Sequence, residues 1–275
     1  MKQLKLSNGV LMDQAGLGVW QMNNEEAESA VKNALQAGVR LIDTAANYQN
    51  EAAVGSGIQE SGVAREDLFI VTKVRNSNQG YEETFQAFND SLEKLGLDYV
   101  DMYLIHWPVA KTFKDTWRAM EEIYASKKAR AIGVCNFHQH HMEDLLKDAK
   151  IKPMVNQIEL HPLLNQTELV EYCEQKDIKV MAYSPLGNGK LLTNEALGKI
   201  AEKYQKTTAQ IILRWAIERG VIVIPKSIHL ERIKENMAIF DFSLAQVDME
   251  TINQMNQDFR FGTDPEHFEE IFAKK

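Results

Sequence analysis

Short apolar runs recur along this chain, each separated from the next by segments where apolar residues return every three or four positions. The runs are AGLGVW, VRLIDT, LFIVTKV, VDMYLIHW, ARAIGVCNF, MVNQIEL, KVMAYSPL and VIVIPKS. An unbroken apolar run of this length reads as a strand buried on both faces, the usual condition of a parallel sheet. Helices are expected between them. One covers Glu25 to Ala37, capped by Asn23-Asn24 and stopped at Gly38. Another opens at Glu51, and a third covers Tyr81 to Leu95, stopped at Gly96. Phe113 to Ser126, His138 to Ala149 and Thr167 to Lys176 follow, then Glu195 to Tyr204 and Thr208 to Glu218 in tandem. A last helix should begin between Ser227 and Arg232. The signals are capping residues, helical spacing and terminal glycines. At the start, Lys2 to Leu6 and Val10 to Met12 flank a Ser7-Asn8-Gly9 turn, which reads as a hairpin.

Eight strands alternating with helices predict a closed α/β fold, a (β/α)8 TIM barrel. The hairpin would close the bottom, and a short C-terminal tail would run from Phe259 to Lys275. No Pro/Gly-rich linker divides the chain, so residues 1–275 read as a single domain. The competing fold is an open doubly wound sheet, which binds a dinucleotide through G-x-G-x-x-G after its first strand. GLGVWQ and GSGIQE both lack the third glycine. That favours the barrel.

Composition narrows the partners. The formal net charge is −8 and no Lys/Arg block interrupts the chain, which argues against nucleic acid and anionic membranes. Cys135 and Cys173 form neither a CxxC pair nor a zinc spacing, as expected in a reducing compartment. The N-terminal MKQLKLSNGV lacks a long apolar stretch, and no run is long enough to span a membrane. A cytoplasmic protein is expected.

The strand ends carry the chemistry. Successive strands finish in Asp43, Lys73, His106, Asn136, Gln157, Tyr183-Ser184 and Lys226-Ser227. In a parallel barrel these ends meet at one face, where active sites of this fold sit. One polar strand end is ordinary solvent exposure; seven in succession are not. Asp43 and Lys73 would have to pair to be tolerated there. A paired, cationic Lys73 facing Tyr48 should draw the phenol's pKa from about 10 toward neutrality, giving a general acid. His106 could donate a second hydrogen bond to the same substrate oxygen. Taken singly, these residues have dull readings: a buried ion pair, a surface tyrosine, a structural histidine.

In these residues the sequence resembles the aldo-keto reductases, which are NADPH-dependent enzymes on a (β/α)8 barrel. The matching stretches are GLGVWQ, LIDTAANYQNE, IVTKV, YLIHWP, GVCNF, VNQIELHP, AYSPLG and IPKS…RIKEN, in order and over nearly the whole chain. The likeness is greatest to the bacterial 2,5-diketo-gluconate reductase and prostaglandin-F-synthase-like branch. The resemblance implies that Asp43, Tyr48, Lys73 and His106 are the catalytic tetrad, with Tyr48 as proton donor. It places Gly18, Trp20 and Asp43 at the cofactor, and Asn136 and Gln157 on the nicotinamide amide. Tyr183 would stack on the nicotinamide ring, with Ser184, Leu186 and Gly187 over the pyrophosphate. Lys226, Ser227 and Arg232 would hold the adenosine 2′-phosphate, with Glu235 and Asn236 at the adenine. Trp20, Tyr48, His106, Trp107 and Phe113 would line the substrate pocket. A monomer reducing small aldehydes, α-dicarbonyls and keto-sugars is implied. One departure is Cys135-Asn136-Phe137 where the family has Ser-Asn-Phe. The loop after Pro108 is also short, and so is the tail; such segments set substrate choice in the family.

Other features add less. In HQHH, His138 and His141 stand one helical turn apart while His140 points elsewhere, and no carboxylate/cysteine set completes a metal site, so no metal is expected. Cys135 has no local base to activate it. Trp117 and Trp215 sit at packing positions. Two other functions compete with carbonyl reduction. A Schiff-base aldolase or lyase would use a neutral Lys73. A reductase-like binding protein would hold the nucleotide without turnover, and the complete tetrad argues against that.

Overall fold

The computed structural model describes residues 2–272. Residues 273–275, the end of the expected tail, lie outside the described residues. The hairpin forms as β1 (Gln3–Lys5) and β2 (Leu11–Asp13), paired antiparallel. Eight parallel strands follow: β3 (Leu17–Gly18), β4 (Leu41–Asp43), β5 (Phe69–Val74), β6 (Val100–Ile105), β7 (Ala129–Cys135), β8 (Val155–Glu159), β9 (Lys179–Tyr183) and β10 (Ile222–Val223). Each pairs with its neighbours in chain order. The sheet closes on itself where Val223 N–H donates to Gln14 O at 3.0 Å and Gly16 N–H donates to Val223 O at 2.9 Å. Gly18 N–H donates to Pro225 O at 3.2 Å along the same seam. All eight expected strands are present. The two at the seam are the shortest, because Pro225 has no N–H to extend the ladder.

The helices are α1 (Asn24–Gln36), α2 (Glu51–Ser61), α3 (Tyr81–Leu95), α4 (Phe113–Ala125), α5 (Gln139–Leu146), α6 (Thr167–Gln175), α7 (Glu195–Tyr204), α8 (Thr208–Glu218), α9 (Leu230–Met237), α10 (Gln246–Asn253) and α11 (Phe268–Phe272). Asn23 caps α1 with a full capping box: Glu26 N–H donates to its Oδ1 at 2.9 Å, and Asn23 N–H donates to Glu26 Oε2 at 3.0 Å. Helix α5 ends short of the expected Ala149. The Glu121 carboxylate accepts the N–H groups of Lys150 and Ile151 at 2.7 and 2.8 Å, holding the chain out of the helix. Helices α10 and α11 escaped the sequence pattern because both are brief.

The end opposite the strand C-termini is tied by charge. Asp101, fully buried, receives Arg65 and Arg130, each at 2.7 Å, and the Ile70 N–H at 2.9 Å. The hairpin rests there, with Asn8 Nδ2 donating to Arg130 O at 2.9 Å. No helix among the described residues is long and apolar enough to cross a membrane.

The seam leaves no room for a side chain. A Cβ on Gly16 would lie 2.4 Å from Leu41 Cγ and 2.6 Å from Leu41 O. The neighbouring backbone belongs to β4, held between β3 and β5, and cannot retreat cheaply. Gly16→Ala should therefore destabilise the protein by roughly 1–3 kcal/mol through overpacking. Urea denaturation checks this, and a midpoint equal to that of the unsubstituted chain would contradict it.

Candidate active site

The strand register brings the polar strand ends together. Asp43 closes β4, Lys73 lies one residue before the end of β5, and His106 follows β6 directly. Tyr48 ends the 3-10 turn Ala46–Tyr48 just beyond Asp43. Lys73 is 0 % exposed. Its ammonium donates to Asp43 Oδ1 at 2.7 Å, to Thr44 O at 2.9 Å and to Tyr48 Oη at 3.3 Å. Three donors meet three acceptors, so the buried cation is fully satisfied. Asp43 Oδ2 accepts Gln157 Nε2 at 2.7 Å. The acid that closes β4 thus anchors a lysine on the next strand and a glutamine from across the barrel.

The electrostatics correct one expectation. Burial raises the Tyr48 phenol above its ordinary value, and the opposing pull of Lys73 does not reverse that. Desolvation disfavours the phenolate, and Asp43 offsets part of the lysine's field. The phenol therefore keeps its proton at neutral pH instead of titrating near it. For Lys73, burial would favour the neutral amine, but the Asp43 carboxylate beside it overrides burial and raises its pKa. Lys73 stays charged. His106 is lowered to about 3, first by burial and then by Lys73. It is a neutral imidazole whose ring nitrogens make no hydrogen bond among the described residues. Its ring meets Tyr48 edge-on, with centroids 5.7 Å apart.

The adjoining strand ends form one network. Asn136 Nδ2 donates to His106 O at 3.0 Å, and its Oδ1 accepts the Tyr183 hydroxyl at 2.9 Å. Asn136 and Ser184 adopt left-handed backbone, with φ of 64° and 46°, where the chain turns off β7 and β9. Non-glycine residues in that region are uncommon and cluster at functional sites. Cys135 is buried beside them, and burial raises its thiol well above the usual range, so it is no nucleophile.

Further round the mouth, Ser184 Oγ donates to Asn188 Oδ1 at 3.0 Å, and Gly187 sits in the same loop with φ of 56°. Leu186 is half-buried beside it. Lys226 donates to Gln21 O at 3.0 Å, and Ser227 Oγ accepts His229 N–H at 3.1 Å. Arg232 is exposed on α9 and makes no ion pair among the described residues. The two acids that could compete for it are engaged elsewhere: Glu231 with Lys234 at 3.1 Å, and Glu235 with the Thr207 hydroxyl at 2.7 Å. Asn236, 5 % exposed, lies one turn further along α9. An arginine held by no carboxylate among the described residues, close in sequence to Lys226 and the Ser227 hydroxyl, fits a nucleotide bearing a phosphate.

Some expected residues fall differently. Gly18 belongs to the barrel seam: a Cβ there would lie 2.9 Å from Ile224 O. Phe113 is buried and meets Phe137 edge-on at 5.5 Å, which places its ring in the packing under α4. Trp20 is 45 % exposed at the mouth. Trp107 stacks on Phe268 from the tail, centroids 5.1 Å apart, a partner that sequence reading missed. The three histidines also gain a carboxylate. Glu266 Oε1 lies 2.6 Å from His138 Nδ1, although 128 residues separate them. The side chains of His138, His141 and Glu266 bring ligand-type atoms within 4.8 Å of one another. The absence of a completing carboxylate was thus misjudged, since the tail supplies one from far away in sequence. In the structure those atoms serve hydrogen bonds: His138 Nε2 faces Arg260 Nη2 at 3.1 Å, and His141 Nδ1 accepts His138 N–H at 3.2 Å. Glu159, also unforeseen, closes β8 two residues after Gln157 on the same strand face.

A groove at the other end of the barrel lies between the hairpin and Arg40, Glu66 and Arg130.

Comparison with known proteins agrees with the geometry. Residues 11–257 match the aldo/keto reductase family. A glyoxal reductase of Bacillus subtilis is 57 % identical over 264 residues, covering 96 % of each chain. A 9,11-endoperoxide prostaglandin H2 reductase of Trypanosoma cruzi is 52 % identical over 267 residues, covering 96 % of this chain and 94 % of that one. An aldo-keto reductase of Bombyx mori, solved in complex with NADP, superposes with a TM-score of 0.92 at 36 % identity, over 97 % of this chain and 96 % of the other. With the barrel, the buried Lys73 cluster and these matches in hand, the chain belongs to the aldo/keto reductase family.

Proposed function

We propose that this chain reduces small aldehydes and α-dicarbonyls to alcohols, using NADPH, with Tyr48 as the proton donor. One observation carries the assignment of roles: the Lys73 ammonium, fixed by Asp43, lies 3.3 Å from the phenol of Tyr48. A protonated phenol beside a fixed cation is a general acid whose conjugate base has a counter-charge waiting. When bound, NADPH supplies the hydride. Tyr48 Oη then gives its proton to the substrate oxygen as negative charge builds there. Lys73 stabilises the phenolate left behind, and Asp43 with Gln157 keeps Lys73 in place. His106, neutral, donates one hydrogen bond to the same oxygen and orients it.

The binding roles follow the donor sets. Asn136 and Gln157 offer carboxamides to the nicotinamide amide, and the Tyr183 ring offers a face for stacking. Ser184, Leu186 and Gly187 form the loop for the pyrophosphate. Lys226, Ser227 and Arg232 suit a dianionic 2′-phosphate, and Asn236 with Glu235 suits the adenine. Trp20 and Trp107 make the mouth mainly apolar, with Tyr48 and His106 as its polar anchors, which suits small carbonyls accepted with weak discrimination. The likeness to a glyoxal reductase supports that substrate class. A Schiff-base reaction at Lys73 is disfavoured because its amine is held charged. The same reading has the chain act as a single-domain monomer in the cytoplasm. In support, its core is one continuous cluster and both cysteines are buried free thiols.

Three outcomes test this reading. Tyr48→Phe should lower kcat on methylglyoxal by roughly 100-fold or more while NADPH binding stays near normal; near-normal kcat would sink the mechanism. The second concerns pH. A histidine lowered to about 3 carries no charge across the working range, so it has no proton to lose as pH rises. The reductive kcat/KM should show no limb near the ordinary imidazole pKa of about 6.5. A limb there that vanishes in His106→Asn would contradict the neutral assignment. Third, Arg232→Ala should weaken NADPH binding by about tenfold, the loss of one charge-assisted contact, and leave NADH binding nearly unchanged. Fluorescence titration with both nucleotides measures this, and equal losses would refute the 2′-phosphate assignment.

A further inference from the structure

The Glu159 carboxylate has no place in the mechanism above, yet it is among the most buried acids in the chain. Its side chain is 0 % exposed. Among the described residues, neither lysine nor arginine hydrogen-bonds to it. Its partners are the Phe261 N–H at 2.7 Å, the Gly262 N–H at 3.1 Å and His161 Nε2 at 3.1 Å. An anion buried without a cation is costly unless several N–H groups converge on it. Two of the three donors here are consecutive backbone amides of the tail, 102 and 103 residues away in sequence. The carboxylate therefore grips the tail backbone at one point.

What that point carries is the clue. The Phe261 ring is wedged against the loop after β9: a Cβ on Gly187 would lie 2.5 Å from Phe261 Cε2. Lys190 of the same loop sits over the Phe261 ring, 5.4 Å from its centroid. The next residue, Gly262, backs onto Tyr183; a Cβ there would lie 3.0 Å from Glu159 Oε2 and 3.8 Å from the Tyr183 hydroxyl. One carboxylate thus fixes the tail against both the loop and the tyrosine.

We infer that Glu159 is a positioning residue that sets how long the nucleotide stays bound, by holding Phe261 of the tail against the Gly187 loop. The inference rests on the proposed function, which places that loop over the pyrophosphate and Tyr183 on the nicotinamide. The loop can open only if Phe261 lifts, and Phe261 is held through the two amides on Glu159. Glu159 touches neither the tetrad nor the substrate oxygen. Its loss should speed nucleotide release and leave the hydride step alone.

The test uses the full-length chain and stopped-flow fluorescence of bound NADPH. Glu159→Gln keeps the shape and removes the charge that gathers the amides. Its NADPH release rate should rise about tenfold, one charge-assisted hydrogen bond's worth. Single-turnover hydride transfer, read with 4-deuterated NADPH, should keep the unsubstituted rate and isotope effect. Phe261→Ala should speed release similarly without touching the buried acid, so it tests the idea even if Glu159→Gln folds poorly. The double variant should release no faster than either single one, because both break the same link. Unchanged release in Phe261→Ala, additive effects, or a slowed hydride step would overturn this inference alone. An unsubstituted chain that fails to bind NADPH would overturn the proposed function with it.

Discussion

The ion pair between Lys73 and Asp43 is the contact on which the rest of the mouth depends. Both groups are withdrawn from water, and desolvating them costs several kcal/mol each before any attraction is counted. A pair in that position is tolerable only if its remaining hydrogen-bonding capacity is met. It is met by Thr44 O and Tyr48 on the lysine side and by Gln157 on the aspartate side. The pair lies on β4 and β5 and its partners on β8 and the turn after β4, so satisfying one pair fixes four segments relative to one another. The pair also sets the signs around it. It holds Lys73 charged, and Lys73 in turn helps keep His106 neutral. An acid, a cation and a neutral donor coexist within a few ångströms because one pair settles all three.

The backbone carries a second constraint. Strands β7 and β9 both end in a non-glycine residue at positive φ, Asn136 and Ser184. Left-handed backbone at such residues persists only where the surroundings over-determine it. At Asn136 they do: its amide is tied to His106 O on one strand and to the Tyr183 hydroxyl on another. The turn that aims the carboxamide into the mouth is thus held by the groups the carboxamide must face. Gly187 differs. It is free to adopt φ of 56°, but its lack of a side chain matters more for the space it gives Phe261.

The barrel was legible in the sequence because parallel strands buried on both faces appear as apolar runs. Eight runs between capped helices leave few other folds. Asn23, Gly38 and Gly96 announced helix ends through local chemistry alone, which needs no knowledge of the rest of the chain. The tetrad was legible for a related reason: strand ends converge in a barrel, so Asp43, Lys73 and His106 could be placed by topology. What stayed hidden depends on distance or on dielectric. Glu266 meets His138, and Phe268 meets Trp107, through a tail whose path no local pattern encodes. The direction of the Tyr48 shift turned on burial against charge, and a sequence shows the charge but not the depth. Resemblance alone places Phe113 at the substrate pocket; it opens α4, where its buried ring meets Phe137 edge-on, a contact no local pattern announces.

The tail shows how a short segment can act on a site built by strands. It is tied to the barrel at separate points: Phe261 and Gly262 on Glu159, Arg260 and Glu266 on His138, Phe268 on Trp107, and Glu269 on the Ala110 N–H at 2.7 Å. The contact with Glu159 is buried and charge-assisted, whereas those of Glu266 and Glu269 are exposed and screened by solvent. The outer half of the tail is held instead by the Phe268 ring, 4 % exposed and stacked on Trp107. The inner half cannot move without exposing a carboxylate and parting Phe261 from Gly187. Two anchors of different chemistry thus divide one strap. The apolar one borders Trp107 at the proposed substrate entrance, and the charge-assisted one borders the loop assigned to the nucleotide.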